Sequence, residues 1–240
     1  LTTIGFAVLI ALGIRTFVIE PFRIPSESML PTLLVGDHLF VNKFLYGARV
    51  PFTDWRLPAL REPRRGDVVV FEVARRGGGI FPADKHADLP RDRFVKRVIG
   101  VPGDTIEITD RMVKVNGEPL DRRESSTGYV DPLDRSLRAQ VELLDGRPHA
   151  LLTDPGAPSR DHPPVRVEPG RYFMMGDNRD HSNDSRSWGT VRFEEFKGPA
   201  FILYWSWDWN GSWGELLQPR TWWSLFGEKM RWERIGDAIK

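Results

Sequence analysis

Ser28 stands in PSESMLPTL, residues 25 to 33, held between Pro25 and Pro31. A residue before proline is pushed out of the α region, and proline fixes its own φ. The stretch therefore predicts a stiff, non-helical elbow whose backbone N–H groups are not spent inside a helix. Free N–H groups beside a hydroxyl are what an oxyanion site requires, and an extended chain points Ser26 to the same side as Ser28. Taken alone, serines flanked by prolines are ordinary turn residues. A serine nucleophile also needs a base. The five histidines, His38, His86, His149, His162 and His181, fall at no recognisable triad spacing. RFVKRVIG, residues 93 to 100, offers Lys96 instead. Strand alternation sets Phe94, Lys96 and Val98 on one face and Val95, Arg97 and Ile99 on the other. Apolar neighbours disfavour the ammonium, and a lysine base must fall from about 10.4 towards neutrality. On periodicity alone, a strand-edge lysine reaching out to water fits the pattern better.

The third stretch, GDNRDHSNDSRSWG, residues 176 to 189, is dense in Asp, Asn, Ser and Arg. A calcium loop read from Asp180 places Ser185 where glycine is needed and Val191 where glutamate is needed, which excludes an EF-hand. Asp177, Asp180 and Asp184 weigh against an anion site. The pattern suits a hydrogen-bonded loop in which Arg179 and Arg186 satisfy carboxylates while a hydroxyl stays free to orient a neighbour. With no cysteine in the chain, disulfides, thiolate metal sites and a cysteine nucleophile are all excluded.

Elements must hold these residues in place. Residues 1 to 19, LTTIGFAVLIALGIRTFVI, carry one charge, Arg15, and approach the roughly 20 apolar residues that cross a bilayer. Arg15 is near enough to the end of the run to snorkel to the head groups. A transmembrane helix ending near Glu20 and Pro21 is expected, ahead of a cleavable signal or a buried core helix. Beyond it the chain reads as short strands broken by turns, including HLFVNKF (38 to 44), VVVF (68 to 71) and AFILYW (200 to 205). Val101-Pro102-Gly103-Asp104 and Glu168-Pro169-Gly170-Arg171 read as type II turns, and Asn116-Gly117 as a hairpin turn. Residues 77 to 91, opening on three glycines, read as a flexible loop.

The expected organisation is mainly β: an anchor at 1–19, an antiparallel β core from 20–103 and 171–207, and a smaller β subdomain inserted at 104–170. A tryptophan-rich segment at 208–240 closes the chain, with an amphipathic helix over 221–236 that could lie on lipid. Lys plus Arg number 34 against 33 Asp plus Glu, so no basic stripe speaks for nucleic acid.

EPFRIPSESMLPTLLVGDHLFVNK, RRGDVVVF, RFVKRVIGVPGD and MGDNRDHSNDSRSWG, in this order behind an apolar helix, resemble the bacterial type I signal peptidases. That resemblance implies a membrane-anchored serine endopeptidase with a Ser/Lys dyad, needing no cofactor or metal. It would cut signal peptides from exported precursors after a small-x-small motif, at the outer side of the cytoplasmic membrane. By position it implies Ser28 as nucleophile and Lys96 as general base. Ser26 and the Ser28 amide would be oxyanion donors, and Ser182 the hydroxyl orienting the lysine. Asp177 with Arg97 and Asp184 with Arg186 would brace the loop. Phe22, Ile24, Pro25, Met29, Leu33 and Val95 would line the substrate pockets. Precursor proteins and the phospholipid membrane are the expected partners, with a monomer as the expected state. Glu27 departs from the glycine that many members carry between the two serines. Alternatives are a relative specialised for pilin or conjugation precursors, and a catalytically dead, membrane-tethered peptide-binding β domain.

Overall fold

The computed structural model describes residues 2–50, 53, 55–86, 88–130, 135–208, 227 and 229–240. Helix α1 (Thr2–Phe17) leads in, with Ile4, Phe6, Leu9 and Leu12 among its exposed apolar side chains. It ends two residues before the expected limit of 19, because Ile19 and Glu20 are already paired as strand opposite Asn42 and Val41. Among the described residues no helix is long and apolar enough to cross a membrane.

The main sheet is antiparallel. It contains β1 (Ile19–Arg23), β2 (Asp37–Asn42), β3 (Val68–Arg76), β4 (Gly79–Pro82) and β5 (Arg91–Gly100). The inserted strands β6 (Thr105–Thr109), β7 (Met112–Val115), β8 (Glu118–Pro119), β9 (Arg122–Glu124), β10 (Arg138–Leu144), β11 (Arg147–Thr153) and β12 (His162–Arg166) follow. The chain then returns through β13 (Arg171–Met175), β14 (Val191–Arg192) and β15 (Phe196–Ser206). The main order is β1-β2-β15-β3-β5-β13-β14, with β4 paired to β3; β11-β10-β9 and β12-β6-β7-β8 form two smaller sheets.

The continuous apolar run in β3 follows from burial on both faces. Val68 and Val70 join one cluster with Ile24, Met29, Leu33 and Val95, while Val69, Phe71 and Val73 join another with Tyr46, Met174 and Phe196. β5 is paired along β3, so Lys96 lies opposite Val69 and Arg97 opposite Val68, both deep in the protein. The chain leaves the main sheet through a turn where Gly103 takes φ 92°. It turns again at Asn116-Gly117, with φ of 54° and 88°. Positive φ at both centres is the backbone that a tight hairpin turn demands.

Two expectations are corrected. Residues 77 to 91 are not an irregular loop: Gly77 and Gly78 turn the chain so that β4 can pair with β3, and a 3-10 turn, Ala83–Lys85, follows. Of the helix expected over 221–236, residues 221–226 and 228 lie outside the described residues, and residues 229 to 236 hold one 3-10 turn, Trp232–Arg234, in place of an α-helix. Met230 bridges Trp207, and Ala238 bridges Ile202. The Arg231 and Arg234 side chains hold this segment against Asp37, with Arg234 Nη2 donating to Asp37 Oδ2 at 2.6 Å. Ser206 Oγ donates to the other oxygen of the same buried carboxylate.

Candidate active site

The elbow after β1 folds as a single 3-10 turn, Glu27–Met29, entered through an extended Ser26 whose hydroxyl caps nothing. The first N–H groups of such a turn have no partner within it, and that of Ser28 is among them. Asn178 clamps the elbow from the loop after β13: its N–H donates to Ser28 O at 3.1 Å and its Nδ2 to Glu27 O at 3.2 Å. Arg135 from the inserted region adds a two-pronged contact to the Glu27 carboxylate.

β5 delivers Lys96 to this elbow. Lys96 Nζ donates to Ser28 Oγ at 2.5 Å, with the lysine 3% exposed. Ser26 Oγ lies 3.4 Å from Ser28 Oγ. Burial draws the Lys96 ammonium down to about 8, against the opposing pull of Asp184 and Asp177 and with some help from Arg186. Loss of water penalises the charged form more than those two carboxylates support it, because each already has an arginine of its own. Arg97 meets Asp177 through two bonds of 2.8 and 2.6 Å, and Arg186 meets Asp184 through two of 2.8 Å. Thr32 Oγ1 also donates to Asp177, at 2.6 Å. Both carboxylates stay ionised: burial opposes them, and the paired guanidinium in each case outweighs it.

Such a site can pass a proton from a hydroxyl to an amine and hold negative charge next to it. It opens into a groove lined by Phe22, Pro25, Ser26, Ile80 and Val95. Among the described residues no cluster of side chains could hold a metal ion.

The profile of the signal peptidase family, peptidase S26, matches residues 1–205. The chain belongs to this family. It is 38% identical over 217 residues to signal peptidase I of Pseudomonas aeruginosa, covering 82% of this chain and 69% of that one. It is 39% identical over 211 residues to signal peptidase I of Pseudomonas fluorescens, with the same coverage. To signal peptidase I of Rickettsia typhi it is 35% identical over 218 residues, covering 84% and 77%. A crystal structure of a signal peptidase I from Enterococcus faecalis V583 aligns at 25% identity with a TM-score of 0.32, covering 58% of this chain and 97% of that one.

Within this family member, the residues named from the sequence fall into two groups. Ser26, Ser28, Lys96, Phe22, Pro25 and Val95 share one groove. Ile24, Met29 and Leu33 do not line it: each is 0% exposed in the cluster beneath the elbow, because β2 and β3 cover them. They support the floor rather than meet a ligand. Ser182 also departs from its expected role. No hydrogen bond joins its Oγ to Lys96, whose Nζ is directed at Ser28; the hydroxyl supports the Asp184 carboxylate instead. It also lies beside Gly176, where a Cβ would come within 2.3 Å of both Ser182 Oγ and Ser28 O.

Sequence reasoning missed Glu142 and Arg122. Glu142 is fully buried, and Arg179 and Arg122 converge on it, the latter at 2.6 and 3.1 Å. A signal existed: in VELL, alternation gives Glu142 the same inward direction as Leu144, an orientation a carboxylate takes only with partners waiting.

Proposed function

We propose that this chain is a signal peptidase I, a serine endopeptidase that removes N-terminal signal peptides from exported precursors after a small-x-small motif. The observation that carries the reading is the contact of Lys96 Nζ with Ser28 Oγ inside a site that strips the ammonium of water. Once neutral, Lys96 takes the Ser28 proton across that contact and the alkoxide attacks the scissile carbonyl. The Ser28 N–H and the Ser26 hydroxyl donate to the oxyanion that forms. Collapse expels the new N-terminus of the mature protein, with Lys96 returning its proton to the leaving amine. Water activated by Lys96 then clears the acyl-enzyme. The part of the groove formed by Phe22, Pro25, Ile80 and Val95 is apolar, with Glu27, Arg75, Asp92 and Arg93 elsewhere in its lining, and that apolar part selects by rejecting bulk. Arg97 with Asp177 and Arg186 with Asp184 hold the loop behind Lys96.

Helix α1 acts as the membrane anchor, placing the groove at the outer face of the cytoplasmic membrane. Its support is an apolar surface exposed around the helix, with Ile4, Phe6 and Leu9 each about two-thirds exposed. The deciding experiment incubates the full chain with a precursor whose signal ends in Ala-x-Ala. Wild type is expected to release the mature protein, while Ser28→Ala and Lys96→Ala are expected to fold and release none. Appreciable cleavage by either variant would remove the dyad.

A further inference from the structure

A second cleft lies between the last turn of α1 and the main sheet, lined by Arg15 and Thr16 of the helix and by Lys43, Arg49, Arg56, Arg93 and Lys197. Glu20 is the one carboxylate in this lining, shared by Lys43 at 3.5 Å and by Arg93. Lys197 is committed to Glu72 at 2.7 Å, and the nearby Glu194 and Glu195 are paired with Arg192 and Arg91. Among the described residues, Arg15, Arg49 and Arg56 have no carboxylate in ion-pair contact. Backbone oxygens aim two of them in advance. Arg56 donates to Tyr46 O at 3.2 Å and Phe196 O at 2.7 Å, and both Arg49 and Arg56 donate to Glu194 O. Burial first, then the like charge of Arg49, lowers the affinity of Arg56 for its proton. Glu194 and Glu195 are near enough to oppose that loss in part, but neither makes ion-pair contact with Arg56, so the two guanidinium groups are held together by backbone oxygens. Lys43 Nζ, 3.4 Å from Arg15 O, also covers a carbonyl at the end of α1 that would otherwise repel an anion.

We propose that this cleft binds the phosphate-bearing headgroup of an anionic membrane phospholipid. Planar guanidinium groups fixed before the ligand arrives match phosphate oxygens without an ordering cost. The source is a lipid because Leu12 of the exposed apolar helix lines the same cleft. A headgroup held by Arg15, Arg49 and Arg56 would lay its acyl chains along α1, and a free phosphate would use the cations alone. This inference rests on the reading of α1 as the membrane anchor. The phospholipid would fix the height and tilt of the catalytic groove relative to the bilayer.

The test titrates fluorescent phosphatidylglycerol and fluorescent phosphatidylcholine into the full chain in neutral detergent micelles, with inorganic phosphate as competitor. Saturable binding of phosphatidylglycerol is expected, about tenfold or more tighter than phosphatidylcholine. The doubly substituted Arg15→Gln, Arg49→Gln variant should lose roughly tenfold in that affinity while its peptide cleavage in micelles stays unchanged. If the double variant also loses peptide cleavage, Arg15→Gln alone, on an exposed helix surface, serves for the comparison. Equal affinity for the two lipids, unchanged affinity in the variant, or full displacement by millimolar phosphate would overturn the assignment. Flotation of the full chain with phosphatidylcholine vesicles tests the anchor separately. Failure to float removes the anchor and leaves the micelle titration to decide the cleft.

Discussion

Glu142, on β10 of the inserted region, receives both terminal nitrogens of Arg179, two residues beyond Asp177 in the acidic loop after β13. The inserted sheet therefore buttresses that loop. Leu152 of β11 reinforces the junction, donating to Asp177 O and accepting from Arg179 N, each at 2.9 Å.

Glu142→Gln would leave the Arg179 and Arg122 charges buried and uncompensated, a loss of about 3–5 kcal/mol. Urea unfolding at pH 7 checks this, and an unchanged midpoint would refute it. The pH dependence has a definite sign. Burial opposes the Glu142 carboxylate, but Arg179 and Arg122 outweigh it and hold the group at about 2, below its ordinary 4.5. The unfolded chain then takes up the proton first as pH falls. The contribution is complete above about 4.5 and disappears as pH drops towards about 2. The Gln variant should lack that part of the acid profile.

Lys96 trades stability for reactivity. With the amine titrating at about 8, kcat/KM on a peptide substrate should rise tenfold per pH step below 8 and level off above it. The folded value lies below the ordinary 10.5, so the buried charge destabilises the fold at neutral pH, and the penalty fades as pH rises from about 8 towards 10.5. Lys96→Met should therefore abolish cleavage while stabilising the protein at pH 7, on the order of 1–3 kcal/mol. A Met variant less stable than wild type would contradict the desolvation argument.

In the proposed mechanism Ser26 donates to the oxyanion, and it does not hold the fold: it is exposed and its hydroxyl caps nothing. Ser26→Ala should reduce kcat by roughly 10²-fold, with KM and the unfolding midpoint close to wild type. A loss confined to KM would instead make Ser26 a residue that binds substrate.

Strands were legible where alternation or continuous apolar character expressed burial, as in β3. The turns were legible where proline and glycine set φ, as at Gly103. The elbow at Ser28 could be read as non-helical from its two prolines, although the chain there takes one 3-10 turn. Long-range partners were not legible. Nothing local to Glu27 names Arg135, and nothing near Asp37 names Arg234, because each pair is joined only when distant strands meet. Ile24, Met29 and Leu33 have the apolar character of pocket residues, but the sequence does not say which side of the elbow becomes core. The missing Ser182 bond was hidden for a similar reason: its direction depends on the backbone approach at Gly176 rather than on residue type.

Gly176 itself marks where the elbow and the acidic loop touch. No positive φ demands glycine there; the demand is steric, since a Cβ would come 2.3 Å from Ser28 O and from Ser182 Oγ, and backbone cannot yield as a flexible side chain does. Gly176→Ala must then move the loop away from Ser28, lengthening the bond from Asn178 N–H to Ser28 O and shifting the nucleophile relative to Lys96. Overpacking of this kind costs about 1–3 kcal/mol, and a displacement near 1 Å at a reacting group lowers turnover by about 10²-fold. The expected result is a variant that unfolds cooperatively at lower urea yet loses far more kcat than stability alone would remove. Gly128→Ala, where nothing lies within 4 Å of the added carbon, is the matched control and should cleave as wild type does. If Gly176→Ala keeps full kcat, the elbow is not held by the loop, and the clamp from Asn178 has no bearing on where Ser28 points.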